Sequence, residues 1–579
     1  MINEFGAWLV ALNLIAIVGL LLFTQLRPWK VFLGSGCLLY LSGVQSLENV
    51  LQGYTNSSLL VLILLYFVSL PLERTTLVRR SIRAIVEGSQ WGRTLKLGVF
   101  SAAISAFVNN TAVVAATLGP IKRQQKVAPS RLLLPLSYAS ILGGTVTLIG
   151  TSTNLIVNGF VQQAGYPSLG FFEFSAIGLP VLACCLVVIV ILAPRSLPQR
   201  QASEAAANQE YFLERQVQVD SPMIGRSVQD NGLRSLEKIF LVEILRQHRV
   251  IGPVSPQVCL QRDDILVFSG DVSNIDLLDE FSGLATPEHF DDSVRENLVE
   301  VIVSPTAGVV GRSIKEVDFR SKFDAAVVAV KRGSERLQGG LGGLRLKAGD
   351  SLVLAAGPNF TKRNEATGEF ILVGGIESNR LLKRTEESMI LGGFAVIVAL
   401  GAMGFIPLIK GLIVMIGVLL FTRLLTLEDI KARFPFELLV VIAGALGLAQ
   451  AMFDTGLSDA IGAFAGQHLS GLPPLGALIG VFLLTWLLTE LVTNNAAAAI
   501  MFPLALAVSS QWGDQYLPFV MAVAFGASAS FLSPYGYQTN LMVYSAGNYR
   551  IGDYLKFGLP VLLVYAVVAI TMIYQHYDL

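Results

Sequence analysis

Long apolar runs fill residues 1–195 and 386–579, while residues 196–385 mix polar and apolar positions over short distances, as in VQVDSPMIGRSVQDNGLRSLEK. The pattern predicts two membrane halves separated by a water-facing insert. A hydrocarbon core about 30 Å thick takes about 20 apolar residues per helix. On that rule the first half holds spans near 6–26, 31–48, 56–72, 132–160 and 171–193. The second holds spans near 388–406, 411–424, 436–454, 516–545 and 557–575. The opening MINEFGAWLVALNLIAIVGLLLF lacks a basic start and a small-residue cleavage site, so it reads as a retained span and not a signal peptide.

Two further apolar stretches have polar centres. Residues 97–121 carry Asn109-Asn110-Thr111 in the middle, with Lys96 before them and Lys122, Arg123 and Lys126 after. Basic residues favour the cytoplasmic side, so this stretch enters and leaves on one face, as a re-entrant hairpin. Each arm has roughly 12 residues, about 18 Å at 1.5 Å per residue, enough to reach mid-membrane. Residues 474–508, centred on Thr493-Asn494-Asn495, are its counterpart and enter from the other face. Arg27 and Lys30 mark an inside loop. Arg74, Arg79, Arg80, Arg83 and Arg93 mark another, read as an amphipathic helix on the membrane surface. Loops 49–55 and 161–170 contain no Lys or Arg and face outward. Both termini then lie outside, and the insert is cytoplasmic.

The halves repeat one another. NNTA at 109–112 precedes GTSTNLIV at 150–157, and TNNA at 493–496 precedes GYQTNLMV at 536–543; Asn110 to Asn154 is 44 positions and Asn495 to Asn540 is 45. The same order in opposed orientation is an inverted repeat, an architecture in which broken helices meet near the bilayer midplane. Irregular backbone survives at that depth only where protein buries it or it lines a cavity. Helix N-termini there offer N–H groups to an anion, while carbonyls, hydroxyls and amide oxygens suit a hard cation such as Na⁺. The candidate anion-binding residues are Asn109, Asn110, Thr111, Ser152, Thr153, Thr493, Asn494, Asn495 and Thr539. The candidate Na⁺ ligands are Ser105, Asn109, Asn110, Gly143, Gly144, Asn154, Thr489, Thr493, Asn494, Ser530 and Asn540. A lone Asn in a span can equally be a helix-packing hydrogen bond; two matched clusters at matched spacing favour a site.

Composition narrows the function. The chain has 579 residues, 53% hydrophobic and only 15% charged, with 42 Lys and Arg balancing 42 Asp and Glu. That excludes a soluble protein, for which about a quarter charged is usual, and gives no basic field for nucleic acid. The four cysteines form no CxxC and the four histidines are scattered, so neither a disulfide framework nor a His metal site is expected. No nucleophile–base pair suggests an enzyme, and no Walker motif suggests ATP.

The hairpins SAFVNNTAVVAATLGP and LLTELVTNNAAAAIMFPLA, with GTSTN and PYGYQTN downstream, resemble the divalent anion:sodium symporters of the ion transporter superfamily. The resemblance covers nearly all of both membrane halves. It implies Na⁺ held by each hairpin with the unwound helix after it, a small anion between the tips, and a homodimer. Ser105 and Thr489 match cation-ligand positions. The tips here read NNT and TNN where that family carries Ser-Asn-Thr, and TSTN and YQTN replace the Pro-Pro-Asn of dicarboxylate carriers. With the soluble insert, this resembles the sulfate-type branch.

The insert is a tandem repeat at an offset of 86, pairing Gly225-Arg226-Ser227 with Gly311-Arg312-Ser313, Arg246 with Arg332 and Asp264 with Asp350. The strands IFLVEIL and AAVVAVK, each followed by DDILVF or GDSLVL, read as α/β. The copies, 196–285 and 286–385, resemble TrkA-C (RCK C-terminal) domains, which dimerise and in some cases bind nucleotides. Their arginines are open to a phosphate grip on one side and to a solvated face or structural ion pairs on the other. GGLGG at 339–343 reads as a turn, with no Rossmann fingerprint around it. The expectation is therefore a polytopic α-helical membrane protein of two inverted repeats with an α/β insert, acting as a Na⁺-coupled carrier of sulfate or a similar oxyanion. Alternatives are a Na⁺/H⁺ antiporter using Glu490, a dicarboxylate carrier, and a regulator-gated channel suggested by the YGY of PYGYQ.

Overall fold

The computed structural model describes residues 2–579 except 25, 74–84, 86–88, 124–125, 201–211, 234–238, 247–248, 252–253, 271–280, 282, 286–297, 305–306, 338–340, 358, 375–382, 433, 470–472 and 513–514. The surface helix expected around Arg74, Arg79, Arg80 and Arg83 lies outside the described residues.

The first apolar half forms α1 (Ile2–Phe23), α2 (Pro28–Leu41), α3 (Leu47–Gln52), α4 (Ser57–Glu73), α5 (Gln90–Ser105), α6 (Asn110–Arg123), α7 (Leu133–Gly144), α8 (Ser152–Gln163) and α9 (Ser175–Ser196). The insert carries α10 (Ile314–Val317), α11 (Phe319–Phe323) and α12 (Phe360–Thr367). The second half forms α13 (Arg384–Ala402), α14 (Leu408–Phe421), α15 (Leu427–Ala432), α16 (Phe436–Asp454), α17 (Leu457–Leu469), α18 (Pro474–Leu491), α19 (Asn494–Ser509), α20 (Tyr516–Ser528), α21 (Gln538–Ala546) and α22 (Ile551–His576). Among the described helices, α9, α13, α16, α18 and α22 are long and apolar enough to cross a membrane.

The same order of lengths and breaks recurs on either side of the insert. α2 and α14 each have 14 residues and are each followed by a six-residue helix, α3 or α15. The span expected at 31–48 is therefore four positions shorter than the hydropathy alone implied, while the 14 positions expected at 411–424 match α14 in length and are displaced by three. Each helix stops where a left-handed residue follows its cap, Gly43 at φ 75° and Arg423 at φ 58°, which turns the chain and ends the hydrogen-bond ladder. The stretch 97–121 is not one rod: α5 ends at Ser105 and α6 starts at Asn110, and both pack on α7. α18 and α19 pack likewise on α20. The arms of the first hairpin run 16 and 14 residues, longer than the expected 12, because helix continues past the apolar stretch into flanking positions such as Gln90–Arg93; those of the second, 18 and 16 residues, fill the expected 474–508. The spans expected at 132–160 and 516–545 are each broken, over 145–151 and over 529–537.

The insert holds two antiparallel five-stranded sheets. The first, ordered β3-β2-β4-β1-β5, uses β1 (Phe212–Val217), β2 (Ile239–Arg246), β3 (Arg249–Ile251), β4 (Ile265–Gly270) and β5 (Leu284–Ala285). The second, ordered β8-β7-β9-β6-β10, uses β6 (Leu298–Val303), β7 (Ala325–Arg332), β8 (Glu335–Arg336), β9 (Ser351–Ala356) and β10 (Phe370–Gly374). Every strand of the second starts 86 positions after its equivalent in the first. The bridges Ser227 to Cys259 and Ser313 to Arg345 repeat as well. Gly225 and Gly311, at φ 78° and 83°, occupy matching turns that an L side chain would strain. Each sheet has its own apolar core. Ile302 of β6 is an exception, since it is buried in the large core of the membrane halves.

Candidate functional site

Asn110 opens α6 from the break after α5, and its amide is buried at a four-way contact. Oriented to satisfy its neighbours, its nitrogen donates to Ser105 Oγ (2.6 Å), Ser140 O (3.1 Å) and Gly150 O (3.2 Å), and its oxygen accepts from Tyr537 Oη (2.6 Å). Gly144 packs flat against this amide, so a Cβ there would overlap it. Gly143 does the same against the backbone of Ala102, which lets α5 and α7 touch main chain to main chain. Asn154 Nδ2 donates across the first break to Thr147 O (2.8 Å) and Gly144 O (3.4 Å). The Na⁺ candidates Ser105, Asn110, Gly144 and Asn154 thus form one buried cluster of hydroxyl, amide and carbonyl groups.

The second break is built alike. Asn540 Nδ2 donates to Ser530 O (2.9 Å) and Ser533 O (3.4 Å), while Thr489 Oγ1 donates to Ala527 O (2.7 Å). Gly536 packs against Ser530 Oγ and Thr489 O. Glu490 Oε1 accepts from the Phe531 and Leu532 amides, both at 3.1 Å, so the carboxylate terminates N–H groups that the break leaves free.

The two tips cross over. Asn494 Nδ2 donates to Thr153 Oγ1 (2.7 Å), and Ser152 Oγ and Thr153 Oγ1 donate to Asn495 Oδ1 (3.1 and 3.4 Å). Thr111 Oγ1 donates to Gln538 Oε1 (3.3 Å). Each hairpin tip therefore meets the broken helix of the other half. Thr493 caps α19, accepting from the Ala496 amide at 3.4 Å, and the Asn109 side chain accepts from the Thr111 amide at 2.9 Å.

A cavity of about 400 Å³ opens between the tips. Of the anion candidates, Asn109, Thr111, Ser152, Asn494 and Asn495 line it. Asn110, Thr153, Thr493 and Thr539 do not. Thr539 is fully buried and receives a hydrogen bond from Ser137 Oγ (2.9 Å), behind the cavity wall. Tyr537 and Gln538 line the cavity although the sequence did not single out Tyr537. The signal was present: Tyr537 immediately precedes QTN as Thr151 precedes STN, and the Tyr537 and Thr151 hydroxyls lie 3.0 Å apart. Among the described residues no Lys or Arg lines the cavity, and the one charged lining residue is Glu437, which Arg27 neutralises at 2.7 Å.

The citrate transporter family model, CitMHS, matches residues 18–515. The chain belongs to the citrate transporter family. It is an integral membrane transporter and not an enzyme, and the divalent anion:sodium symporter resemblance of its hairpins agrees with that family. A Chlamydomonas reinhardtii protein bearing the name of a sulfur deprivation response regulator is 31% identical over 93% of this chain and 97% of its own length. An uncharacterized transporter of Synechocystis is 30% identical over 91% of this chain and 90% of its own. Sodium/sulfate cotransporter 1 of Chlamydomonas reinhardtii is 29% identical over 62% of this chain and 42% of its own.

In the insert, the arginines offered to a phosphate are already engaged. Arg246 Nε and Nη2 grip Asp264 at 2.8 and 2.7 Å, and Arg332 Nε and Nη2 grip Asp350 at 2.7 Å each. Both aspartates are fully buried. The ion-pair reading holds for these two positions.

Proposed function

We propose that the protein is a Na⁺-coupled symporter of a small divalent oxyanion, sulfate first. The observation that carries this is the crossed pairing of Asn494 with Thr153 and Thr111 with Gln538 around one cavity that no Lys or Arg lines among the described residues. An anion there is held by helix N-termini, amides and hydroxyls, and a buried charge without a counter-charge is costly. Na⁺ bound at the clusters of Asn110 and Asn540 would supply that charge, which couples the two solutes. Relatives named sodium/sulfate cotransporters support the pair of substrates. In this reading the two halves are inverted repeats of 1–195 and 386–579 with re-entrant tips, the hairpin-bearing elements move against the rest, and both termini face outward. The cytoplasmic units 196–285 and 286–385 are regulatory TrkA-C-like domains, and the protein is a homodimer.

The test is uptake of radiolabelled sulfate into proteoliposomes under a Na⁺ gradient. Uptake that collapses without Na⁺ supports the proposal; Na⁺-independent uptake, or none, overturns it. Citrate is the second reading, favoured by the description of the matching family. Excess unlabelled citrate competing as strongly as unlabelled sulfate would favour it.

A further inference from the structure

The second insert sheet is docked on the transport site. Ser304, Thr367, Gly368 and Ile371 form one wall of the cavity that the hairpin tips line. Lys122, at the end of α6, reaches both carboxylate oxygens of Glu300 at 2.7 Å, and Ser351 Oγ adds a third hydrogen bond at 2.8 Å. The Lys122 side chain is only 7% exposed. Gly333 N donates to Ser545 Oγ (3.0 Å), just beyond which Lys331 reaches Asn548. Gly333 and Gly349, both at positive φ, lie flat on Tyr544 and Leu541. These contacts hold α6 and α21, which carry the tip residues Asn110, Thr111 and Gln538. The same sheet unit also touches the other side of the cavity: Arg27 donates to Ala307 O (3.2 Å) while paired with Glu437, and α12 packs on α15.

The first sheet keeps the acid of the pair, as Glu214, but not the rest of the docking face. At the positions of Ile302, Lys331, Ser351 and Ile371 it has Gln216, Leu245, Ile265 and Ala285. The docking face is thus a property of the second copy alone, and not a general requirement of the insert fold.

We infer that the β6–β10 unit is an autoinhibitory clamp: docked, it ties the hairpin-bearing elements to the rest of the membrane domain and walls the cavity, and undocking frees them to move. This rests on the transporter reading above. Any displacement of α6 and α21 relative to α15 and α16 has to break the Lys122–Glu300 pair or carry the sheet away from Arg27 and α15. Burial alone would push the Glu300 carboxyl up, but the Lys122 ammonium, the Ser351 hydroxyl and the Lys331 charge together hold it below the usual carboxylate range. The Glu300 carboxyl is therefore held in its charged form, as a charge latch requires.

The test uses the full chain in nanodiscs and in proteoliposomes, with Cys37, Cys184, Cys185 and Cys259 replaced by Ala and Ala115, a cavity-lining residue of α6, replaced by Cys. A charged maleimide reports access to the cavity. In Lys122→Glu the labelling rate rises on the order of tenfold or more, since a buried charge facing its like leaves the docked state several kcal/mol worse. Radiolabelled sulfate uptake rises with it. Lys122→Glu combined with Glu300→Lys restores slow labelling, which a merely misfolded single variant would not allow. Labelling that is equal in all three proteins overturns the clamp. If labelling follows the pair while sulfate uptake stays at background throughout, the clamp stands and the sulfate reading falls. If sulfate is taken up at a rate indifferent to the pair and labelling is likewise indifferent, the clamp falls and the transporter reading stands.

Discussion

Asn494 Nδ2 donates to Thr153 Oγ1 at 2.7 Å, tying the tip of the second hairpin to the first turn of the broken helix in the first half, 341 positions away. The bond joins two elements that each line or flank the cavity, so its loss should be felt in transport more than in folding. Asn494→Ala and Thr153→Val each lower Na⁺-dependent uptake by about two- to tenfold, the worth of one net hydrogen bond of about 0.5–1.5 kcal/mol. The double variant falls no further than the worse single one, because the partners share the interaction. Strictly additive losses in uptake would mean the contact plays no part.

Gly144→Ala tests the Asn110 cluster. A Cβ at Gly144 overlaps the buried amide, and forcing extra volume into a packed core costs about 1–3 kcal/mol. The apparent melting temperature of the purified protein falls, and Na⁺ no longer raises it. Gly417→Ala on α14, where a Cβ meets nothing within 4 Å, leaves both unchanged or slightly improved.

Both hairpins were legible because polar triplets inside long apolar stretches are expensive unless something pairs with them, and NNT and TNN announce that cost. The strands of the insert were legible from β-branched runs, and its duplication from the repeated Gly-Arg-Ser. The early end of α2 was not, because an apolar count does not register the left-handed residue that stops a helix. α17 was missed since IGAFAGQHL mixes small and polar residues and lies beside a long span. Tyr537 was read only as part of the YGY of PYGYQ, because its partner Asn110 is 427 positions away. The docking of the second sheet was hidden for the same reason: Lys122 served only to mark the side of the first hairpin and Glu300 carried no reading, because the fold alone brings together two residues 178 positions apart.

Glu490 distinguishes a symporter from a proton antiporter. Its Oε1 accepts from the Phe531 and Leu532 amides, a task a carboxamide oxygen can take over. Glu490→Gln therefore retains most Na⁺-dependent sulfate uptake, whereas Glu490→Ala loses it with the unpaired amides, each costing about 1–3 kcal/mol. Proton flux driven by Na⁺ in the wild type and abolished in Glu490→Gln would instead establish the antiporter.

The two insert ion pairs are structural. Asp264 and Asp350 are fully buried, and each is gripped twice by its arginine and once by a backbone amide, Gln261 or Lys347 at 2.8 Å. Removing the arginine strands a buried charge, which costs about 3–5 kcal/mol. Arg246→Ala and Arg332→Ala each raise hydrogen exchange in their own sheet, and only Arg332→Ala, in the docked copy, also raises it in α6.

Glu243 makes the first sheet sensitive to pH. It is buried on β2, neither carboxylate oxygen has a hydrogen-bond partner among the described residues, and burial pushes its carboxyl up from 4.5 to about 7. The equivalent position in the second sheet is Ala329. A carboxyl raised in the folded state stays protonated there while the unfolded chain ionises, so folding is favoured less as pH climbs. The stability Glu243 allows is complete below about 4.5 and declines as pH rises through about 7. Beyond that the folded sheet must hold a buried charge that accepts no hydrogen bond among the described residues. Corrected for the intrinsic pH dependence of exchange, hydrogen exchange of β2 and β4 in the full-length protein should therefore accelerate between about pH 4.5 and pH 7 and level off above that. Glu243→Gln should flatten that dependence and slow exchange at the upper end. An exchange profile with the same pH slope in both proteins would place the titration elsewhere.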